Sequence, residues 1–325
     1  MWKVLGFLQK NLVWTIPMMM VIGIACGYYF DMSFLKLAVL PLTFLMVYPM
    51  MINLKLEAVF SPKGLKAQIV AQLLNFAVIP FMAFYLSQLF FDINDDSEKY
   101  FILGMLFVAL LPTSGMTISW TGFAKGNINA AIQMTVFGLI LGSIATPWYA
   151  QYLMGESINI PIKQVFTSIA VVVFLPMIIG WITRKSLLKR YGQATYQNEI
   201  KQKVPMFSTL GVLGIVFVAM ALKSKSITAN PAVLVDYLVP LVIFYIINFL
   251  LSTIVAKVLF NRGDGIAVVY GTVMRNLSIA LAIAMIAFGP KGADIAIIIA
   301  LAYIIQVQMA AWYVKFTPKI FGPAS

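Results

Sequence analysis

At 325 residues, 62% hydrophobic and only 10% charged, the chain is too apolar for a soluble domain, in which about half the residues are apolar and a quarter charged. Its net charge of +12 lies in short connections between apolar runs, so it excludes a basic nucleic-acid surface and reads as a topology signal. With no histidine and one cysteine, Cys26, the chain has no material for a disulfide framework, a cysteine-rich metal site or most zinc chemistry.

The first apolar run follows Lys3 and Lys10 without a small-residue cleavage pattern, which predicts a retained first helix. A helix needs roughly 20 apolar residues to cross about 30 Å of hydrocarbon. Scanning at that length predicts spans at about 12–30, 34–52, 67–91, 100–122, 127–153, 163–183, 204–222, 233–259, 266–288 and 293–314. The expected fold is therefore an all-α integral membrane protein of ten transmembrane helices, one membrane domain over residues 1–325. Runs such as Ile297–Leu301 show none of the alternation of a barrel strand.

Basic residues are retained on the cytoplasmic side. With the N-terminus inside, one side collects sixteen Lys and Arg, among them Lys55, Lys63, Lys66, Lys125, Arg184, Lys185, Lys201, Arg262 and Lys319, while the other has six, Lys36, Lys99, Lys163, Lys223, Lys225 and Lys291. Both termini are accordingly expected in the cytoplasm of a cell that carries the protein in its plasma membrane. All eleven acidic residues, Glu57 and the outer cluster Asp92, Asp95, Asp96 and Glu98 included, fall in connections or at helix ends. Coupling through a titrating mid-membrane carboxylate is thus not expected.

The fourth span is interrupted by Pro112-Thr113-Ser114-Gly115-Met116-Thr117, where proline removes a backbone donor and glycine loosens the helix. The ninth carries Arg275, the one ionisable residue inside a span, in Met274-Arg275-Asn276-Leu277-Ser278. A charge there costs at least roughly 2.5–3.5 kcal/mol unless it faces protein or water. Two readings stand: a planar donor fork for an oxyanionic solute, or a structural arginine satisfied by the helix-end carbonyls of an interrupted partner span. Dividing the chain near 155–161 leaves five spans in each half, about 12–153 and 163–314, and an odd-numbered unit repeated in tandem must be inverted. Gln72-Leu-Leu-Asn75-Phe in the third span and Tyr245-Ile-Ile-Asn248-Phe in the eighth echo one another at matching positions, either as a trace of duplication or as coincidence in an apolar alphabet. The breaks in spans four and nine are likewise matched, the pointer to a midplane site built from discontinuous helices. Other polar candidates are Gln133, Thr135, Gln306 and Gln308, any of which can serve as packing between helices.

Over Pro112–Asn127 and Met274–Ala284, with Phe288-Gly289, the chain resembles the bile acid:sodium symporter family and the arsenite/antimonite efflux carriers of the same transporter superfamily. The resemblance implies two inverted five-helix repeats, a panel of spans 1, 2, 6 and 7 beside a core of spans 3–5 and 8–10, and unwound crossings in spans four and nine. At the two interrupted spans the expected substrate-binding residues are Arg275, Asn276, Thr113, Ser114, Thr117 and Ser278, with helix-break residues Pro112 and Gly115. Candidate ion-binding positions are Asn75, Thr117, Thr135, Met274 and Gln133. Departures matter too. Gly271 stands where sodium-coupled members have a glutamate, Arg275 where they have a glutamine, and Ile118 where they have an asparagine. Cation-binding oxygens are depleted and a fixed positive charge is added, so the expectation is transport of a small organic anion by alternating access, independent of Na+ and without a cofactor. The arsenite branch would place a cysteine at Thr113 and an acid near Ser278; losing the thiolate removes the soft ligand for trivalent arsenic, although Ser119-Trp120 and Lys125-Gly126 resemble that branch. Arsenite export is the alternative. No nucleotide-binding loop, histidine or mid-span carboxylate supports a primary pump or an intramembrane enzyme, and saturable counterflow would separate a carrier from a channel or a membrane scaffold. The expected partners are the solute and the bilayer, with no nucleic acid.

Overall fold

The computed structural model describes residues 2–54, 64–229 and 231–323, so Lys55, Glu57 and Lys63 of the charge pattern lie outside the described residues. In chain order the helices are α1 (Trp2–Lys10), α2 (Leu12–Tyr29), α3 (Val39–Ile52), α4 (Leu65–Leu73), α5 (Ile79–Ser87), α6 (Lys99–Leu110), α7 (Gly115–Phe123), α8 (Ile128–Met154), α9 (Ile162–Ile169), α10 (Leu175–Thr195), α11 (Lys201–Ala229), α12 (Val233–Leu259), α13 (Arg262–Val273), α14 (Leu277–Ala287) and α15 (Gly292–Phe321). All regular elements among the described residues are helical, as hydrocarbon demands of chains that must satisfy their own backbone groups.

Among the described residues, seven helical stretches are long and apolar enough to cross a membrane, or eight if the bent pair α1 and α2 is one span. That is fewer than the ten predicted from hydropathy, because the fourth and ninth segments are each divided into two short helices, α6 with α7 and α13 with α14. Two boundaries also shift. The sixth segment continues past 183 through α10 to Thr195, with Gly192 at φ 77° inside it, and the seventh, α11, runs on to Ala229. Lys223 and Lys225 are therefore helical, and Lys223 pairs with Asp294 in the first turn of α15 at 2.6 Å.

The chain divides into two compact units. The first comprises Met1–Leu54, Pro161–Leu234 and Ser278–Ala300. Glycines let its helices approach closely: a Cβ at Gly27 would meet the Ala221 backbone, and one at Gly211 the Met46 backbone. Ser208 donates to the Met46 carbonyl and Tyr196 to that of Ile52, so α11 and the segment before it are tied to α3 by hydrogen bonds as well as packing.

The second unit comprises Lys55–Ile160, Val235–Leu277 and Leu301–Ser325. In it α4 and α5 are joined by a wider π turn over Leu74–Val78. Pro80 has no N–H with which to bond the carbonyl four residues back, and that orphan, Phe76 O, instead accepts from the Tyr149 hydroxyl at 2.6 Å. In the loop before α6, backbone N–H groups of Glu98 and Ser97 hold the Asp95 carboxyl below its ordinary range.

Candidate functional site

The break in the fourth segment follows from Pro112. A residue before proline is biased away from the helical region, and Leu111 has φ −106°, ψ 79°. Thr113 then takes φ 63°, left-handed backbone that costs a β-branched residue about 1–2 kcal/mol. Three groups hold it there. Its N–H donates to Met274 O at 2.7 Å. Its hydroxyl lies 2.6 Å from Pro112 O, 3.2 Å from Met134 O and 3.3 Å from Thr135 O. Gly138 on α8 makes the room, since a Cβ there would collide with Thr113 Oγ1. Ser114 caps α7: its Oγ accepts from Met116 N at 3.2 Å, and its own N–H donates to Thr117 Oγ1 at 3.1 Å. Beside this cap, a Gly115 Cβ would meet nothing within 4 Å apart from its chain neighbours and the backbone of its own helix.

The second break begins where Met274 becomes extended, with ψ 111°. Asn276 N–H donates to Leu111 O at 2.7 Å. With the bond from Thr113, this makes Pro112 and Arg275 an antiparallel bridge, so each interrupted helix supplies the partner that the other lost. Gln306 on α15 completes the pairing from the side. Its Oε1 accepts from Arg275 N at 2.7 Å and its Nε2 donates to Arg275 O at 3.2 Å, and Tyr245 Oη donates to the same Oε1 at 2.9 Å.

The guanidinium of Arg275 is 1% exposed. Nη1 donates to Ala109 O at 3.1 Å and Nη2 to Thr272 O, while Nε has no partner. Ala109 lies in the last turn of α6 and Thr272 in the last turn of α13. Each helix C-terminus carries roughly half a negative charge, so one guanidinium offsets two converging ends. Of the two sequence readings of Arg275, its visible partners are those of the helix-end reading, with Nε left over as a donor.

Around this centre, Asn75 donates to Gly271 O at 3.0 Å and Asn248 to Thr272 O at 3.2 Å. Ser252 donates to Asn248 Oδ1 at 3.2 Å and accepts from Thr272 Oγ1 at 2.7 Å. Thr135 donates mainly within its own helix, to Ala131 O at 2.8 Å. Gln133 is 3% exposed, and its Oε1 lies 3.2 Å from where a Gly64 Cβ would sit. Asn276 and Ser278 are both buried. Among the sequence candidates, the structure thus gathers Pro112, Thr113, Met274, Arg275 and Asn276 at the bridge, Ser114 and Thr117 at the α7 cap, and Asn75 against the end of α13. Three participants were not legible as such: Gln306, one polar residue among several; Tyr245, visible only as an echo of Gln72; and Ala109, whose contribution is a carbonyl. No group of three or more metal-binding side chains occurs among the described residues.

A family model described as the Sodium Bile acid symporter family matches residues 40–230. The chain is similar to an arsenical-resistance protein, Acr3, of Alkaliphilus metalliredigens (strain QYMF), 23% identical with 77% of this chain and 75% of that protein covered. It is 21% identical to an uncharacterized transporter of Synechocystis sp., over 97% of this chain and 89% of the other. It is 23% identical to sodium/bile acid cotransporter 7 of Xenopus tropicalis, over 59% of this chain, and spans only 56% of that cotransporter's length.

Proposed function

The chain belongs to the Sodium Bile acid symporter family, and from that premise we propose that it is a secondary transporter carrying a small organic anion across the plasma membrane by alternating access. In this reading the two broken segments count as crossings, giving ten spans in two inverted five-helix repeats, with both termini cytoplasmic, one panel of spans 1, 2, 6 and 7, and a core of the rest. One observation carries the reading. The Arg275 guanidinium bonds the terminal carbonyls of α6 and α13, which is where a bound cation would neutralise two helix C-termini. One fixed unit charge against about two half-charges leaves little for Na+ to do there, so transport is sodium-independent. The positive end of α7, with the Ser114 hydroxyl and the open space at Gly115, then seats the solute's negative charge, alongside Thr113, Thr117 and Asn276.

Counterflow in proteoliposomes against a panel of small carboxylates tests this. Saturable exchange is expected for at least one of them. Gly115→Ala is expected to weaken it while leaving the melting temperature unchanged, because the added Cβ meets only open space. Unaltered exchange in that variant would remove the seat from α7. The likeness to Acr3 favours a second reading, arsenite export. It predicts that expression protects arsenite-sensitive cells, and that a Thr113→Cys variant protects them more, by restoring a soft ligand.

A further inference from the structure

Lysines of this chain differ in the company they keep. Lys99 pairs with Asp96, Lys203 with Glu199 at 3.6 Å and Lys223 with Asp294 at 2.6 Å. Along α10 the balance is different: Leu175–Thr195 holds Arg184, Lys185, Lys189 and Arg190 and no Asp or Glu. Lys185 and Lys189 are exposed and have no ion pair among the described residues.

Their place on the helix says what stands beside them. One side of α10 is turned to α3. A Cβ at Gly180 would meet the backbone of Met51 and Ile52, the Thr183 and Tyr48 hydroxyls share a hydrogen bond at 2.9 Å, and Arg184 donates to Leu54 O at 3.4 Å. The other side carries Ile178 and Ile182, 55% and 52% exposed, apolar side chains that the bilayer covers. Helical spacing puts Lys185 and Lys189 on the same stripe as these isoleucines, about 4.5 and 10 Å further along the axis than Ile182. Lys185 Nζ sits 3.7 Å from the centre of the Trp181 ring, a cation–π contact that holds it in place, and tryptophan is a residue of the headgroup level. Past the lysines the chain turns at Gly192, with φ 77°, and buried Tyr196 donates to Ile52 O at 3.1 Å. Both ends of this stretch are thus tied to α3, and the lysines stand at fixed places on it.

Two like charges four residues apart on one exposed face repel. An anion between them relieves the repulsion, and the stripe tells where that anion comes from. Directly beside the lysines begin the lipid-covered isoleucines, so the ligand that fits joins a negative group to an apolar chain. An acidic peptide or a nucleic acid offers nothing for the isoleucine half. We infer that the stripe of Ile178, Trp181, Ile182, Lys185 and Lys189 is a docking surface for an anionic phospholipid. Its phosphate lies between the two lysines and its acyl chain runs along Ile182 and Ile178. The inference concerns the lipid and stands whatever solute the protein carries.

Thermal unfolding in mixed micelles tests it. Phosphatidylglycerol is expected to raise the melting temperature above that in the same amount of phosphatidylcholine, and a Lys185→Gln/Lys189→Gln variant is expected to lose more than half of that rise. A Lys36→Gln/Lys163→Gln variant, which takes the same charge from exposed lysines elsewhere in the first unit, should keep it. Equal loss in the two variants would mean a response to net charge and overturn the site, as would a wild type indifferent to the headgroup. Inorganic phosphate at the concentration of the lipid should give no rise; a rise equal to that with phosphatidylglycerol would leave the isoleucines without a part and overturn the lipid assignment. For the unaltered protein, native mass spectrometry from an equimolar mixture of the two lipids should retain phosphatidylglycerol several-fold over phosphatidylcholine, and equal retention would contradict the proposal.

Discussion

The third and eighth segments carry nearly the same phrase, Gln72-Leu-Leu-Asn75-Phe and Tyr245-Ile-Ile-Asn248-Phe, and use it differently. Both asparagines donate to carbonyls in the last turn of α13, Asn75 to Gly271 and Asn248 to Thr272. There the likeness ends. Around Asn248 a chain of hydroxyls and amides closes on itself through Ser252, Thr272, Tyr245 and Gln306. Around Asn75 the neighbouring amides have no protein partners. Similar residues thus meet the end of one helix from two sides, with their neighbours hydrogen-bonded to protein on one and without protein partners on the other.

Removing the shared centre should break both sides at once. Arg275→Ala takes the donor from Ala109 O and the cation from two helix C-termini, and is expected to abolish transport and lower stability by about 2–4 kcal/mol, from an unsatisfied buried carbonyl and two uncompensated helix ends. Arg275→Lys keeps the charge but loses the fork, so thermal unfolding in detergent should place it between wild type and Arg275→Ala. Next in size, Asn248→Leu leaves the Ser252 hydroxyl without its acceptor and removes one of the two side-chain donors to Thr272 O and should cost about 2 kcal/mol, whereas Asn75→Leu loses the bond to Gly271 O but also removes an oxygen that has no protein partner and should cost about 1 kcal/mol. Equal penalties in denaturant titrations would erase the asymmetry. The smallest pair is Tyr245→Phe, expected to lose about 1 kcal/mol with its bond to Gln306, against Gln72→Leu, expected to change stability by no more than about 0.5 kcal/mol. A Gln72→Leu variant as damaged as Tyr245→Phe would mean that the glutamine is a packed structural group.

Much of the architecture could be read from hydropathy, because a span is long, apolar and nearly free of charge. The breaks were legible too, since Pro112 with Ser114 and Gly115 after it weakens a helix and a lone Arg275 at mid-span demands a partner. The nature of that partner was not. Carbonyl oxygens belong to every residue, so nothing in Ala109 or Thr272 marks them as acceptors. Thr113 at φ 63° was equally hidden: a β-branched residue is an unfavourable choice for left-handed backbone, and only the space left by Gly138 and the acceptors around the Thr113 hydroxyl make it tenable. The asymmetry between Asn75 and Asn248 escapes the sequence for the opposite reason, because the two segments look alike until their neighbours are known. Helix extent was misjudged where polar residues continue an apolar run: Lys223 and Lys225 read as a connection, yet they extend α11, with Lys223 paired to Asp294.

The central claim is that the guanidinium of Arg275 occupies the electrostatic position of a coupling cation. It is tested most directly by thermal-shift titration of the purified protein with Na+ against choline at constant ionic strength, with Arg275→Gln alongside. The account predicts a wild-type melting temperature indifferent to which cation is present. A saturable, Na+-specific rise in the wild type would contradict it.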